Sequence, residues 1–195
     1  MPAVPYDLSR LRDFVRDMTQ LIDQEDGNEP ALLAAGAPLL RRLIAVDGWL
    51  PAEFAQADAG HYRQYLLHCD PLCRFCVVSF VWGPGQTTPI HDHTTWGLVG
   101  VLRGAELSQG YAIENGIPVP TDLERLDAGQ VACVSPTVGD IHKVTNAFDD
   151  GVSISIHVYG GNIGGVSRNV YRPQGGVSTF VSGYHNNLIP NLWQA

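Results

Sequence analysis

The sequence predicts a mainly β protein, an antiparallel sandwich or barrel, with a helical segment in front of it. Three observations carry that prediction. Up to about residue 57 the apolar residues recur at the three-and-four spacing of a helix face, whereas from His61 onward they alternate with a period of two among β-branched and aromatic residues. The 21 glycines and 13 prolines suit short strands joined by tight turns. No long helical pattern interrupts the second region, which argues against parallel strands connected by helices.

The elements follow in order. Asp7 to Gln24 reads as a helix whose face carries Leu8, Leu11, Phe14, Val15, Met18, Leu21 and Ile22, and the polar run Gln24 to Asn28 breaks it. Glu29 to Ala45 reads as a second helix, with Pro30 suited to its first turn and Pro38 expected to kink or split it. Residues 51–57 add a short turn. Strands are expected at 61–68, 74–82, 89–93, 96–103, 105–113, 130–134, 141–146, 152–159 and 166–172. Asn115-Gly116 marks a hairpin turn and Asp127-Ala128-Gly129 a second bend. From Pro173 the chain is rich in Gly, Ser and Asn and reads as a tail wrapping the surface, with Trp193 tucked in. The division is then 1–60 as helices packing on the barrel, 61–172 as the barrel and 173–195 as the tail, all within one domain.

Composition excludes several function classes. Formal charge is −8, and the basic residues are eleven arginines and Lys143 without a cluster, which excludes nucleic acid as a partner. No apolar run approaches the ~18 residues of a membrane span. Met1 to Arg16 is amphipathic with mixed charges and lacks the apolar core of a secretory signal, so the cytoplasm is the expected location. There Cys69, Cys73, Cys76 and Cys133 are expected to be reduced thiols. Cys69-x3-Cys73-x2-Cys76, beside His68, resembles half of a zinc site. No second pair completes it and a strand follows, so these cysteines are read as small buried hydrophobes.

The chemistry-bearing stretch is Gly85 to His93. His91 and His93 stand two apart, the spacing that puts both side chains on one face of a strand, where two imidazoles can share a divalent metal. His142 lies in another strand-like segment and supplies a third imidazole. Asp92 points to the opposite face and is left out of the ligand set. Further on, Ser153 to Tyr159 alternates without a fault, with Ser153, Ser155, His157 and Tyr159 on one face. Inside a barrel, Ser155, His157 and Tyr159 can form a hydrogen-bonded row that fixes the imidazole tautomer and places the phenol near the metal.

Two spacings carry a resemblance. Gly85-x5-His91-x-His93-x3-Gly97-x6-Gly104 matches the first cupin motif at its glycines and histidines, and Gly129-x6-Pro136-x2-Gly139-x2-His142-x3-Asn146 is similar to the second, with one extra residue in each of its first two gaps. The resemblance implies a cupin, a jelly-roll-like antiparallel β-barrel, with His91, His93 and His142 as metal ligands. Most cupins have a metal-binding glutamate where this chain has Gly97, so the implied set is three neutral imidazoles. Such a site keeps the full charge of its metal and favours an anionic ligand.

With Ser155, His157 and Tyr159 added, and with Trp82-Gly83-x-Gly85 ahead of the histidines, the chain looks like the thiol dioxygenase family of cupins over roughly residues 62–172. That family implies Fe(2+), dioxygen and a small-molecule thiol carboxylate, oxidised to its sulfinate, with Tyr159, His157 and Ser155 as the catalytic row. Animal cysteine dioxygenases have a cysteine crosslinked to the tyrosine where this chain has Gly97, which implies an unmodified Tyr159. They also carry an arginine in a Tyr-x-Arg segment that grips the carboxylate. Here that segment is Tyr62-Arg63-Gln64, with Arg63 on the other face. Gln64 lacks a charged fork, so Arg168 is expected to pair with the carboxylate while Gln64 and Tyr62 help bind the substrate. Gln64 and Arg168 resemble the bacterial 3-mercaptopropionate dioxygenases. The alternatives are L-cysteine as substrate, a cupin enzyme acting on another small molecule, and a non-catalytic metal-binding cupin.

Overall fold

A computed structural model describes residues 6–25 and 27–193; the first five residues of the amphipathic N-terminal run lie outside the described residues. Helix α1 (Ser9–Gln24) buries Leu11, Phe14, Met18 and Leu21. Helix α2 (Glu29–Ile44) starts at Asn28, whose side chain accepts a hydrogen bond from Ala31 N, and carries Pro30 in its first turn. Pro38 does not split α2. It lies on the exposed face, where water can satisfy the carbonyl that its missing N–H leaves free. Among the described residues no helix is long and apolar enough to cross a membrane.

Among the described residues eleven strands follow: β1 (Arg63–Cys69), β2 (Cys76–Trp82), β3 (Ile90–His91), β4 (Gly97–Arg103), β5 (Ala105–Glu114), β6 (Ile117–Asp127), β7 (Val131–Val134), β8 (His142–Asn146), β9 (Ser153–Tyr159), β10 (Arg168–Tyr171) and β11 (Val177–Phe180). They form two antiparallel sheets, β1-β2-β9-β4-β7 and β11-β10-β3-β8-β5-β6. This is the expected mainly β, jelly-roll-like barrel with a helical segment before it. One face of the five-stranded sheet carries Tyr65, Leu67, Val77, Val81, Leu98, Leu102, Ile154, Ile156 and Val158 into a core shared with both helices. The other face looks into the barrel, where Val78, Phe80, Trp82 and Tyr159 meet Val144 of the opposite sheet.

Four expectations need correction. Strand β6 lies outside the expected strands, although the Asn115-Gly116 turn that starts it is among the expected turns, and both turn residues have positive φ (50° and 80°). Pro118, Pro120 and a run of acidic residues hide it, and they are tolerated because β6 is an edge strand with most of its side chains in solvent. The region after Pro173 is more than a tail, since β11 pairs with β10 along Arg168↔Phe180 to Tyr171↔Val177. Trp193 is 79% exposed, while its neighbour Leu192 takes the place against the core. Of the four free cysteines only Cys76 is buried; Cys73 sits exposed in a turn at φ 56°.

Candidate metal centre

His91, His93 and His142 converge. Their ring centroids form a near-equilateral triangle with sides of 4.9, 5.0 and 4.9 Å. One nitrogen from each lies within 4.8 Å of the others, all three residues are buried, and the group could hold a metal ion. His91 and His142 meet because β3 and β8 pair with these two residues directly opposite. His93 arrives differently from the sequence expectation: β3 ends at His91, so His93 is not on a strand. Asp140 takes over its backbone, accepting from His93 N and Thr94 N at 2.9 Å each.

Each imidazole is held through Nδ1. His91 Nδ1 lies 3.1 Å from the carbonyl of Pro89, His93 Nδ1 lies 2.9 Å from Asp140 Oδ1, and His142 Nδ1 lies 3.1 Å from Ser108 Oγ. A carbonyl and a carboxylate only accept, so Nδ1 of His91 and of His93 carries the proton, which leaves Nε2 as a lone pair for a ligand. His93 Nε2 is buried without any hydrogen-bond partner. An orphaned acceptor in a fully buried imidazole is what a metal would satisfy, so the donor set fits one. Burial, then the neighbouring His93, pushes His91 down to about 3, and the same causes hold His142 far below its ordinary value. Both are neutral at physiological pH, as metal binding requires. Burial alone would raise Asp140, but its bonds from His93 and Thr94 outweigh this and keep it an anion.

Beside the triangle runs the row from β9. Ser155 Oγ lies 2.8 Å from His157 Nε2, and His157 Nδ1 lies 2.7 Å from the Tyr159 hydroxyl. Trp82 Nε1 donates to Ser155 Oγ at 3.1 Å, and Phe80 stacks on the His157 ring at 4.0 Å. Tyr159 in turn stacks on His93, 5.3 Å between centroids and 20° between planes. Burial raises the Tyr159 hydroxyl well above the ordinary phenol value and drives His157 far below the ordinary imidazole value, so both are neutral. Gly97 pairs directly opposite Tyr159, and a Cβ there would sit 2.8 Å from the Tyr159 ring and 2.9 Å from Val134. The missing side chain is therefore what lets the tyrosine ring lie flat in this place.

At the other end, Arg168 is 4% exposed. Its Nη2 donates to Ser182 Oγ at 2.8 Å, its guanidinium lies 4.5 Å over the Phe180 ring, and Nε has no partner. Among the described residues no carboxylate pairs with it. β10, which bears Arg168, is tied to β3 by Asp92, which accepts from Asn169 N (2.8 Å), Asn169 Nδ2 (2.7 Å) and the Tyr171 hydroxyl (2.8 Å). Asp92 thus faces away from the triangle, although it stands just beyond the end of β3. Gln64 is buried with Oε1 unpartnered, and its backbone is bonded to His185. Tyr62 lies against Trp82, 4.8 Å between centroids, and Arg63 turns the other way to pair with Asp58. Asp140, Ser108, Asp92, Phe180 and Ser182 have no motif in the sequence that assigns them; only Asp140, two residues before His142, carried a spacing that could have drawn notice.

Comparison with known proteins gives a family. The model described as cysteine dioxygenase type I matches residues 44–168, more than half of the chain. Among solved structures, a conserved Klebsiella pneumoniae protein with a double-stranded β-helix domain is 20% identical, with 67% of this chain and 88% of that chain covered at a TM-score of 0.45. A Thermus thermophilus protein is 16% identical over 56% of this chain and 92% of its own, also at 0.45. An RmlC-like cupin protein from Desulfovibrio desulfuricans is 20% identical over 54% and 87%, at 0.40.

Proposed function

The chain belongs to the cysteine dioxygenase type I family, and from that premise we propose that it is a non-haem Fe(2+)- and dioxygen-dependent thiol dioxygenase whose substrate is a small thiol carboxylate, 3-mercaptopropionate first. The overall change is R–SH + O2 → R–SO2H, which balances without a further reductant. His91, His93 and His142 would hold the iron through Nε2, and the iron would supply the chemistry that combines a thiolate with dioxygen.

The observation that carries the substrate class is Arg168. A buried guanidinium without a counter-ion is costly, and a carboxylate from outside would satisfy it with a bidentate pair. Phe180 and Ser182 hold that fork in place. Tyr159, neutral and held by His157, offers a hydroxyl beside the metal triangle, and Gln64 and Tyr62 line the same inner face of the sheet. L-Cysteine is the second reading, because the unpartnered Gln64 Oε1 is an acceptor that an ammonium group can satisfy.

Oxygen consumption by the ferrous protein with 3-mercaptopropionate, cysteine and cysteamine in turn tests this. We expect uptake with the two carboxylates, 3-mercaptopropionate ahead, and little with cysteamine, which has no carboxylate. Arg168→Ala should raise KM for 3-mercaptopropionate by about thirtyfold or more, since removing one partner of a buried charge pair costs upward of ~2 kcal/mol. No uptake with any thiol would leave a non-catalytic metal-binding protein, and equal turnover of cysteamine would remove the role given to Arg168.

A further inference from the structure

Glu106 is buried to 1% exposure, yet it has no role in the site as described so far. The other buried acids are matched: Asp70 pairs with Arg74, and Asp92 holds β10. Among the described residues Glu106 has no basic partner. Its side chain enters the barrel from β5, on the same face as Ser108, which holds His142. Ser153 Oγ shares its one proton between the Arg103 carbonyl at 3.1 Å and Glu106 Oε1 at 3.4 Å, Oε2 has no partner, and the Ser155 and Trp82 side chains face the carboxyl. A cavity of about 10 Å³ separates it from Ser108 and His142. The Ser155 end of the polar row therefore lies next to a buried carboxyl on the opposite sheet whose Oε2 is unpartnered.

We propose that Glu106 is the inner terminus of the Ser155–His157–Tyr159 row, a positioning residue that in its ionised form sets the direction of the row's hydrogen bonds so that the row can take up the proton of the substrate thiol. This rests on the dioxygenase reading above. An ionised carboxylate only accepts, so it draws the Ser155 O–H. Ser155 Oγ then accepts from His157 Nε2–H, Nδ1 is left bare, and the Tyr159 O–H donates to it. In that arrangement the Tyr159 oxygen presents lone pairs to the site. A proton arriving from a thiol S–H displaces one proton at each link: Tyr159 to Nδ1, Nε2 to Ser155, Ser155 to Glu106. The thiolate remains, His157 stays neutral but is now protonated on Nδ1, and the proton rests on Glu106.

The setting suits this. Burial pushes the Glu106 carboxyl up to about 7, against donors from Ser155, Ser153 and Trp82 that act to lower it. The titratable groups near it are His142 across the cavity from β8, Tyr159 from β9, and His157 one link away through Ser155; β2, β4, β6 and β7 present Trp82, Val99, Leu126 and Val134, none of which titrates near neutrality. With His157 held neutral by burial, Glu106 is the group on this row whose charge changes near physiological pH.

Two measurements test it. Nitrogen-15 NMR of the metal-free protein reads the His157 tautomer without any turnover: we expect Nδ1–H below neutrality and Nε2–H above it, and Glu106→Gln should hold a single tautomer throughout. In the ferrous enzyme, kcat/KM should fall about tenfold per pH unit below the Glu106 ionisation. Glu106→Gln should lose that limb along with about a hundredfold in rate, and Glu106→Asp should restore the limb. Ser153→Ala removes a donor to Oε1 and should move the limb to higher pH, which decides the matter if Glu106→Gln does not fold. A tautomer that is the same on both sides of neutrality in the unaltered protein, or a limb that persists in Glu106→Gln or stays in place in Ser153→Ala, overturns the proposal. Absence of thiol-dependent oxygen uptake by the unaltered protein overturns the dioxygenase reading instead, and the tautomer titration still decides whether Glu106 controls the row.

Discussion

The two faces of β9 are equally buried and do opposite things. Ile154, Ile156 and Val158 have no exposed surface and meet the leucines of α1 and α2, while Ser155, His157 and Tyr159, at 0–3% exposure, meet each other and the histidine triangle. The apolar face gains stability in proportion to the area it removes from water. The polar face loses hydration and recovers it through bonds of 2.8 and 2.7 Å, so its net contribution to stability is small and its value lies in fixed geometry. Burial by itself therefore does not separate core from site; what stands across from the strand does.

The sharpest way to break the comparison is to remove a ligand from the inner side. His91→Ala should reduce metal affinity by well over a hundredfold, since loss of a mere hydrogen-bond partner of a ligand already costs about 10–100-fold. The metal-free protein should stay folded. Metal analysis after dialysis checks this, and full occupancy in the variant would sink the ligand assignment. The mirror experiment is Ile156→Ala on the outer face. It should cost about 2–5 kcal/mol in urea unfolding, as a fully buried aliphatic truncation does, with metal stoichiometry and KM of the folded fraction unchanged. A change in KM would mean that the two faces are coupled through the strand.

Glu106 gives a third, pH-dependent cut. Its carboxyl is raised from 4.5 to about 7 in the folded protein. A raised acid binds more protons folded than unfolded, so its favourable contribution is complete below pH 4.5 and is lost as pH rises through the folded value. The unfolding free energy should thus fall across that window by at most roughly 3 kcal/mol relative to Glu106→Gln, which has nothing to titrate. Asp58 and Asp70, both lowered to about 2, work in the other sense and at lower pH, where they lose stability as the medium is acidified. Parallel curves for the two proteins between pH 4.5 and 7 would show that the Glu106 carboxyl is not desolvated.

The sequence made the strands' alternation and the three histidines legible because both depend on local spacing: period two places side chains on a face, and the motif spacings put His91, His93 and His142 in order. It did not disclose what those side chains lean on. Asp140, Ser108 and Glu106 reach their partners across a turn or from a different strand, and Phe180 and Ser182 reach Arg168 from β11, so their roles exist only once the sheets have formed. The edge strands β6 and β11 escaped for a related reason. With one face or both in solvent they lack the apolar alternation that marked the others, and Pro118 and Pro120 disguise the first of them. Arg168 and Gln64 stood out only by resemblance to known enzymes; their unpartnered atoms give them a physical reason to be there.

The smallest expected effect tests how far the inner face depends on residues outside any strand. Asp140 accepts three hydrogen bonds at 2.9 Å, two from the backbone of His93 and Thr94 and one from His93 Nδ1, and so replaces the ladder that ends at His91. Asp140→Asn keeps the size but exchanges one acceptor oxygen for an N–H2 group that faces a donor, and it removes the charge that favours Nδ1–H on His93. Metal affinity should fall about 10–100-fold, less than for loss of a ligand, with little change in urea stability. Unchanged affinity in that variant would mean that His93 is oriented by its stacking on Tyr159 rather than by Asp140. Gly97 would then carry more of the site than the turn does, because only a residue without a Cβ lets that ring lie against the triangle.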